Sequence, residues 1–568
     1  MARLLVLLVP PGLLLALLGG VAPRPADPSS VKLVVVVYFD QLRGDYLGRW
    51  GDLFGDGGFN RLTTQGAWFT DCHYPYATTT TGPGHAAGLA GCGGAVHGII
   101  NNNWYDRAAG EEVYCASTTD RYQFAPAATT GKEIAGAKVD AKRKKPKLAG
   151  NPDRLTAETV ADRVKAAGGR VFGLSLKDRS AVLPAGHKPD GAYWFDGKFL
   201  TSTYYRDTLP PWVSAFNAAG AADQWVGKSW DRLRADVDYT ARSGPDDGPG
   251  EGTGKKQGKS FPHPFPAATG DDYYEAVANS PAGNDLLLAF TKACLAAEKL
   301  GAGDTPDLLA VSFSSNDLVG HTWGPDSHEV LDITLRSDRL MADLLAVLDA
   351  QVGAGKYAVL LSADHGVCPN PEVSAAKGLD AKRLPPKELV LKAERFLQDT
   401  FGKPDGSQTD RNLWLETLSP PHVYLNHRLL AAKGLDPADV ADKLADWLKT
   451  QPGIETALTR RDILSPGRTL DPVREQVKVC FHPDRGGDVV VVTKPLYLLD
   501  DQGTGTSHGT PHDYDTHVPL IVYAPGVAGG QRAEKVTPMH IAPVAAKLLG
   551  VDPPKTALYP VPATLYGK

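Results

Sequence analysis

The sequence has little net charge, few cysteines and no internal repeat. Its 60 basic and 65 acidic side chains give a formal net charge of -5 over 568 residues, which indicates no nucleic-acid or polyanion partner. The six cysteines lack zinc-finger spacing, so a metal site in this chain would have to be built from Asp and His. Hydrophobic residues at 42% and charged residues at 22% are typical of a globular protein.

Long apolar runs are also scarce, and the one over residues 4–18 is interrupted by two prolines. That run follows an early Arg3 and is short for a membrane-spanning helix, a pattern typical of a secretory signal peptide. We therefore predict a signal peptide over residues 1–26, with a membrane anchor as the alternative, and a periplasmic or secreted protein. No later segment reads as a membrane span. Export would permit disulfides among the six cysteines, and the sequence does not choose a pairing.

Apolar, mostly β-branched runs alternate with helical patterns along the chain. The predicted strands lie within 31–40, 169–179, 306–317, 356–366 and 518–526, and the predicted helices are 153–167, 284–300, 328–350 and 537–549. Continuous apolar runs are typical of strands buried on both faces of a parallel sheet. We predict an α/β fold in which helices sandwich a mixed, mostly parallel sheet. In such sheets, ligands bind at the carboxyl ends of the strands.

Three stretches interrupt this alternation and are predicted to be loop insertions, near 138–150, 242–260 and 370–387. A more independent piece, with an amphipathic helix and a strand-like run, covers about 388–500 and is predicted to be a smaller lobe. We therefore expect one domain over residues 27–568 that contains these insertions and the lobe, and we expect a monomer.

Metal-capable side chains follow three of the predicted strands. Asp40 ends the first strand, Asp317 and His321 follow the third, and the adjacent pair Asp364 and His365 ends the fourth. Before the last strand the chain offers further candidates, His508, His512, Asp513, Asp515 and His517. Three Asp and three His that converge at one sheet edge would leave buried charges unpaired unless a cation binds there. The ligand types suit Zn²⁺, with Mn²⁺ or Fe as alternatives, and six ligands predict two metals in one site.

Four threonines in a row, Thr78 to Thr81, stand directly before the sequence GPGH at the predicted start of a helix. A two-metal site can hold the attacking and leaving oxygens of a phosphoryl transfer, which gives a neighbouring hydroxyl a chemical use. The helix after Pro83 would add backbone N–H groups that favour a phosphoryl oxygen. These residues alone do not say which hydroxyl attacks.

Together the motifs resemble the alkaline phosphatase superfamily, in its nucleotide pyrophosphatase/phosphodiesterase-like branch and there the PafA-type threonine alkaline phosphatases. The resemblance covers most of the chain after the leader. In that branch the nucleophile is the threonine before an x-P-[NG]-H turn, and an asparagine lies 21 residues later, which implies Thr81 and Asn102 in this sequence. The resemblance also implies an alkaline-phosphatase-like fold and a phosphothreonine intermediate.

Two sets of zinc ligands are implied by the same resemblance. One set is Asp317, His321 and His508. The other set is Asp40, Asp364 and His365, with Thr81 as a further ligand. His512 and His517 remain alternatives to His508, whereas His85 and His97 are expected to be packing or turn residues.

The substrate class depends on charge beside the metals. The chain lacks the C/S-x-P-x-R motif of sulfatases, which argues against that chemistry. A phosphate monoester is a dianion, so a monoesterase gains from extra cations. Lys177 and Arg179 end the second predicted strand and would point to one side if the chain stayed extended. PafA-type phosphatases resemble this segment closely, which implies that Lys177, Arg179 and Asn102 contact phosphate.

The sequence therefore predicts a secreted, zinc-dependent alkaline phosphatase that hydrolyses small phosphate monoesters and releases inorganic phosphate. A phosphodiesterase or nucleotide pyrophosphatase on the same metal core is the alternative. A third reading, a phosphate-binding protein without turnover, is disfavoured by the intact Thr81 and the full ligand set.

Overall fold

The computed structural model describes residues 31–118, 121–125, 150–404, 413–467 and 470–566. The predicted leader and nearly all of the basic insertion near 138–150 lie outside the described residues. Among the described helices, none has the length and apolar content that a membrane crossing requires. All six cysteines are buried and free.

The described chain contains twenty strands in five sheets. They are β1 (Leu33–Phe39), β2 (Ala67–Phe69), β3 (Asn103–Asp106), β4 (Glu111–Tyr114), β5 (Phe124–Ala125), β6 (Val171–Ser175), β7 (Gly191–Phe195), β8 (Phe199–Ser202), β9 (Ser229–Trp230), β10 (His263–Pro264), β11 (Asp307–Phe313), β12 (Tyr357–Ser362), β13 (Lys382–Leu384), β14 (Leu415–Ser419), β15 (His422–Leu425), β16 (Ile454–Thr459), β17 (Val489–Thr493), β18 (Tyr497–Leu499), β19 (Leu520–Tyr523) and β20 (Gly530–Arg532).

Ten of these strands form the large sheet, in the order β20-β2-β19-β12-β1-β11-β6-β7-β8-β5. The five central strands, from β12 to β7, are parallel, and β19 and β8 join them antiparallel on either side. Every residue of β1 is buried, as expected for an apolar strand covered on both faces. The predicted α/β fold with a mixed, mostly parallel sheet is confirmed.

Helices connect and cover these strands. They are α1 (Tyr46–Arg49), α2 (Phe59–Gln65), α3 (Thr81–Ala90), α4 (Gly94–His97), α5 (Val160–Ala166), α6 (Asp178–Ala185), α7 (Pro211–Ala218), α8 (Tyr239–Ser243), α9 (Asp271–Ala278), α10 (Pro281–Glu298), α11 (Ser315–Trp323), α12 (His328–Leu348), α13 (Pro371–Ala376), α14 (Pro386–Phe401), α15 (His427–Ala432), α16 (Pro437–Lys449), α17 (Arg460–Leu464), α18 (Pro472–Cys480), α19 (Asp513–Thr516) and α20 (Ile541–Leu549). The predicted helix 153–167 is shorter than expected, because a capping box of Thr159 and Asp162 starts α5 at Val160.

A second, antiparallel sheet, β14-β15-β17-β16, forms a smaller unit with α14 and α16. Successive side chains of β17 point to two different cores. Val489 and Val491 pack inside the smaller unit, while Val490 and Val492 pack against the main core. The smaller unit lies within the lobe predicted at 388–500, whose boundaries stay a prediction.

The segment after β6 departs from the sequence expectation. The strand ends at Ser175, Lys177 occupies the N-cap position, and Asp178 begins α6. The expectation that Lys177 and Arg179 continue an extended strand and point to one side is therefore wrong, because a helix begins between them.

Candidate active site

Four neighbouring parallel strands, β12, β1, β11 and β6, end at one edge of the large sheet, and each is followed by a charged side chain. Asp40 comes directly after β1, Asp317 lies in the first turn of α11, and Asp364 follows β12. The ammonium of Lys177, after β6, lies 2.6 Å from Asp40 Oδ2 and 2.5 Å from Asp317 Oδ2. The sheet topology thus brings three carboxylates and one lysine together.

The predicted ligands lie together, in two overlapping groups. One group is Asp317, His321 and His508, and the other is Asp40, Asp317 and His365; within each group the ligand atoms lie within 4.8 Å of one another. Asp317 belongs to both groups, whereas the sequence reading gave it to one. Asp364 lies beside the second group, with its Oδ2 3.4 Å from His365 Nε2.

The three histidines are oriented as metal ligands. His321 Nδ1 is 2.7 Å from Thr506 O, His508 Nδ1 is 2.8 Å from Thr79 O, and His365 Nδ1 is 2.9 Å from Gly366 O. A carbonyl oxygen only accepts, so each Nδ1 carries the proton and donates. In the neutral form of each ring, Nε2 carries a lone pair and faces the carboxylates, as in histidines that bind metals.

Charge at this centre also fits a cation. Asp40 Oδ1 and Asp364 Oδ2 are buried and accept no hydrogen bond, which is costly unless a positive ion supplies a partner. Burial, with the neighbouring Asp317 and Asp364, raises the pKa of Asp40 well above its usual range. Burial and the rings of His365 and His321 lower the pKa of His508, which keeps that imidazole neutral. The residues present therefore fit a bound metal.

Thr81 is the first residue of α3, and its hydroxyl lies 3.4 Å from His365 Nε2. Gly84 allows this helix to approach the sheet, because a Cβ at position 84 would overlap the backbone oxygen of Asp364. Among the four consecutive threonines, only Thr81 has its hydroxyl beside one of the predicted metal ligands. Thr80 instead donates to Asn101 Oδ1 at 3.0 Å, and Thr78 lies beside Cys480. The helix N-terminus directs N–H groups toward the same place.

Asn102 and Arg179 border the site from two other segments. Asn102 Oδ1 accepts from the Gly82 N–H at 2.7 Å. Arg179 lies 3.3 Å from the hydroxyl of Tyr114, which in turn donates to Asp178 at 2.5 Å. Burial and, to a smaller extent, the nearby Arg179 charge lower the pKa of Lys177, but the surrounding carboxylates raise that pKa overall.

Gln41 is a site residue that the sequence reading missed. It adopts a left-handed φ of 70°, donates its backbone N–H to Asp364 Oδ1 at 3.1 Å, and donates its side-chain amide to Asp317 Oδ1 at 2.6 Å. Gly320 leaves room for the Gln41 amide, since a Cβ there would overlap it. The only sequence signal was its place directly after Asp40, and the unusual φ that directs it was not readable.

The remaining histidines have other partners. His512 Nε2 bonds to Thr493 O, and His517 Nε2 bonds to Thr70 O, so neither joins the two ligand groups. His85 is buried between Thr81 O and Ser312, with its Nδ1 3.2 Å from Asp364 Oδ2. His97 bonds to the Ile99 N–H through Nδ1.

The predicted insertion at 242–260 contacts both histidine-bearing segments of the first ligand group. The Gly252 N–H donates to Thr322 O at 2.7 Å, and the Gly505 N–H donates to Gly250 O at 2.6 Å. The insertion therefore joins α11, which carries His321, to the loop that carries His508.

Asp515 stabilises the loop that carries His508 by accepting hydrogen bonds from it. Its Oδ2 accepts from the N–H groups of Gly509 and Thr510 and from the Thr510 hydroxyl, at 3.0, 2.9 and 2.6 Å, while burial raises its pKa to about 7. An unfolded aspartate ionises near pH 4. The folded protein therefore keeps a proton that the unfolded chain loses as pH rises from about 4 to 7, and stability falls across that window.

Asp515→Asn is expected to remove this pH-dependent loss of stability. Relative to the parent protein, the variant should gain up to about 4 kcal/mol in free energy of unfolding between pH 4 and pH 7 and stay level above pH 7. Urea unfolding at four pH values measures the difference. A stability difference that does not change with pH would contradict the assigned protonation.

The fold and the site define a class: α/β proteins with a His/Asp cluster that could hold a metal, and a threonine at a helix N-terminus, at the carboxyl edge of the sheet. The chain belongs to the type I phosphodiesterase / nucleotide pyrophosphatase family, whose model matches residues 34–515. The predicted family resemblance is confirmed.

Two curated relatives and one crystal structure are similar over nearly the whole chain. Alkaline phosphatase PafA of Elizabethkingia meningoseptica is 33% identical over 565 residues, which cover 98% of this chain and 97% of that protein. Alkaline phosphatase PhoV of Synechococcus elongatus is 32% identical over 548 residues, with 94% and 92% covered. The crystal structure of wild-type PafA matches with a TM-score of 0.85 at 33% identity, over 96% of this chain and 100% of that chain.

Proposed function

We propose that the protein is a zinc-dependent alkaline phosphatase that hydrolyses phosphate monoesters through a phosphothreonine intermediate. The names of its relatives support a phosphatase. The observation that carries the monoester assignment is the lysine among the ligand carboxylates: the Lys177 side chain is 11% exposed and contacts both Asp40 and Asp317.

A charge balance favours a monoester over a diester. The site has three carboxylates, those of Asp40, Asp317 and Asp364, and two cationic side chains, Lys177 and Arg179. With two divalent ions bound, its net charge would be three positive. A threonine alkoxide and a monoester dianion neutralise those three charges. A diester carries one negative charge and would leave one positive charge unbalanced in a buried site, which is unfavourable.

Two zinc ions are proposed because three imidazoles and three carboxylates surround one centre and zinc prefers such ligands. Asp317, His321 and His508 would hold one ion, and Asp40, Asp364 and His365 the other. When bound, the ions would lower the pKa of the Thr81 hydroxyl and offset charge on the leaving oxygen.

The residues of the chain then have distinct roles. Thr81 Oγ1 forms a bond to phosphorus as the bond to the alcohol oxygen breaks, and a water molecule later attacks phosphorus to release phosphate and the free hydroxyl. Asn102 accepts the Gly82 N–H with its oxygen, so its amide nitrogen can donate to a phosphoryl oxygen. Lys177 and Arg179 would bind the other oxygens of the dianion.

Small phosphate monoesters are the proposed substrates, with inorganic phosphate as product and no nucleic-acid partner. We also propose that the chain is exported, so that the enzyme works in the periplasm or outside the cell, and that it acts as a monomer.

The test compares hydrolysis of p-nitrophenyl phosphate and bis-p-nitrophenyl phosphate by the zinc-loaded protein and by Lys177→Ala/Arg179→Ala. Losing two charged contacts should lower monoester kcat/KM by roughly 10³-fold, at about 2 kcal/mol each, and change diester kcat/KM less than tenfold. The surface double variant Lys449→Ala/Arg461→Ala is the matched control.

Other outcomes separate the alternatives. A diester preference that the double variant leaves intact would favour a phosphodiesterase or nucleotide pyrophosphatase. Tight phosphate binding without turnover of either ester would favour the binding protein.

A further inference from the structure

A cleft of about 210 Å³ lies between the smaller sheet and the loop that carries His508. Val490 and Val492 of β17 and Leu499 of β18 line one side, and Thr80 and His508 line the other. The cleft therefore begins at the residue before the proposed nucleophile and at one of the proposed metal ligands.

Hydrogen bonds fix the side of the cleft that is nearest to the phosphate site. Asn101 Nδ2 donates to Pro420 O of the smaller unit at 2.7 Å, and its Oδ1 accepts from the Thr80 hydroxyl at 3.0 Å and from the Asn102 N–H at 2.7 Å. Pro420 also lines the cleft. Asn101 thus fixes the smaller unit against the segment that leads into Thr81.

The chemistry of the cleft differs from that of the phosphate site. None of the described residues that line it is Asp, Glu, Lys or Arg, whereas Lys177 and Arg179 stand at the phosphate site. Its lining combines hydrocarbon, from residues such as Pro421 and Leu499, with uncharged polar groups, from residues such as Asn101 and Thr510. An apolar cavity of about 150 Å³ can hold a benzene ring, so this cleft has room for a substituted ring.

The in-line geometry of phosphoryl transfer relates this cleft to the leaving group. Thr81 Oγ1 lies beside His365, which belongs to the second ligand group. Attacking and leaving oxygens lie in line across phosphorus, so the leaving oxygen falls on the opposite side, at the group of Asp317, His321 and His508. His508 also lines the cleft, so an alcohol that leaves on this side would depart toward the cleft.

We propose that this cleft binds the alcohol portion of the phosphate monoester and selects uncharged aryl or apolar groups over anionic ones. The inference rests on the proposed monoesterase function. Leu499, which is half-buried at the cleft, is the residue that determines specificity, because it supplies apolar surface and no charge to pair with an anionic group.

Non-hydrolysable phosphonates test the cleft without the complication of leaving-group reactivity. Inhibition constants of methylphosphonate, benzylphosphonate and 4-carboxybenzylphosphonate are measured against p-nitrophenyl phosphate. Benzylphosphonate is expected to bind at least tenfold tighter than methylphosphonate, and the added carboxylate should cancel that gain. Equal constants for all three would overturn the inference while leaving the monoesterase standing.

Variants of Leu499, which is half-buried at the cleft, provide a second test of the proposal. Leu499→Arg should improve 4-carboxybenzylphosphonate binding about tenfold relative to benzylphosphonate, and Leu499→Gln should not. Leu391→Arg introduces the same charge on an exposed residue of α14 and should leave the phosphonate ranking unchanged. An unchanged ranking in Leu499→Arg, with folding verified by melting temperature, would also overturn the inference.

Failure of the proposed function gives a different result. If the zinc-loaded protein hydrolyses no monoester, the same three phosphonates are compared by calorimetry. Tighter benzylphosphonate binding would then still support the cleft, and equal binding would overturn it.

Discussion

Thr81→Ala is expected to lower kcat/KM for p-nitrophenyl phosphate by about 10⁴-fold or more, because loss of a nucleophile leaves only binding and electrostatic contributions. The metal content should remain that of the parent protein, since the Thr81 hydroxyl lies beside the ligand set and the Asp and His ligands are untouched. Steady-state kinetics and metal analysis on the same sample measure both quantities.

Two further variants show whether the correct hydroxyl has been chosen. Thr81→Ser keeps a hydroxyl at the start of α3 and should restore most of the activity. Thr80→Ala removes the hydroxyl that donates to Asn101 and should cost no more than about tenfold, the scale of one hydrogen bond. A larger loss in Thr80→Ala than in Thr81→Ala would contradict the assignment of the nucleophile.

Asp317→Ala is expected to have the second very large effect. Asp317 supplies an oxygen to both ligand groups, so its loss should weaken binding at both metal positions. Changes to residues that merely support metal ligands cost about 10- to 100-fold in affinity, and loss of a shared ligand should exceed that range. Metal content after dialysis and kcat/KM should therefore fall together.

The control for Asp317→Ala is Asp513→Ala, which removes an aspartate whose side chain is 84% exposed. It should keep both metal content and activity. If Asp317→Ala instead retained full metal content and lost only activity, Asp317 would have to act on the substrate and not as a shared ligand.

Much of this site could be predicted from the sequence, because its ligands follow buried strands. Asp40 and the pair Asp364 and His365 end apolar runs, and parallel strands collect such residues at one edge. Asp317 and His321 are four residues apart, which places them on one side of α11, where their side chains lie 3.1 Å apart. These patterns involve residues that are close together in the chain, so the sequence alone can predict them.

The other site residues could not be predicted, because local sequence patterns do not determine where their side chains point. Lys177 and Arg179 were expected to end an extended strand, but α6 begins between them at Asp178, and the Lys177 ammonium reaches Asp40 and Asp317. Gln41 reaches two carboxylates only because its φ is positive. The cleft joins Thr80 to Val492, and a pairing over such a sequence distance leaves no periodic signal.

The hydrogen bond from His508 to Thr79 O has a consequence for exchanging parts between related proteins. The carbonyl that orients this imidazole belongs to the segment that leads into Thr81, more than four hundred residues earlier in the chain. A chimera that transplants the His508 loop alone would therefore import a ring whose orientation is set by the recipient backbone. The two segments form one exchangeable module and should be grafted together.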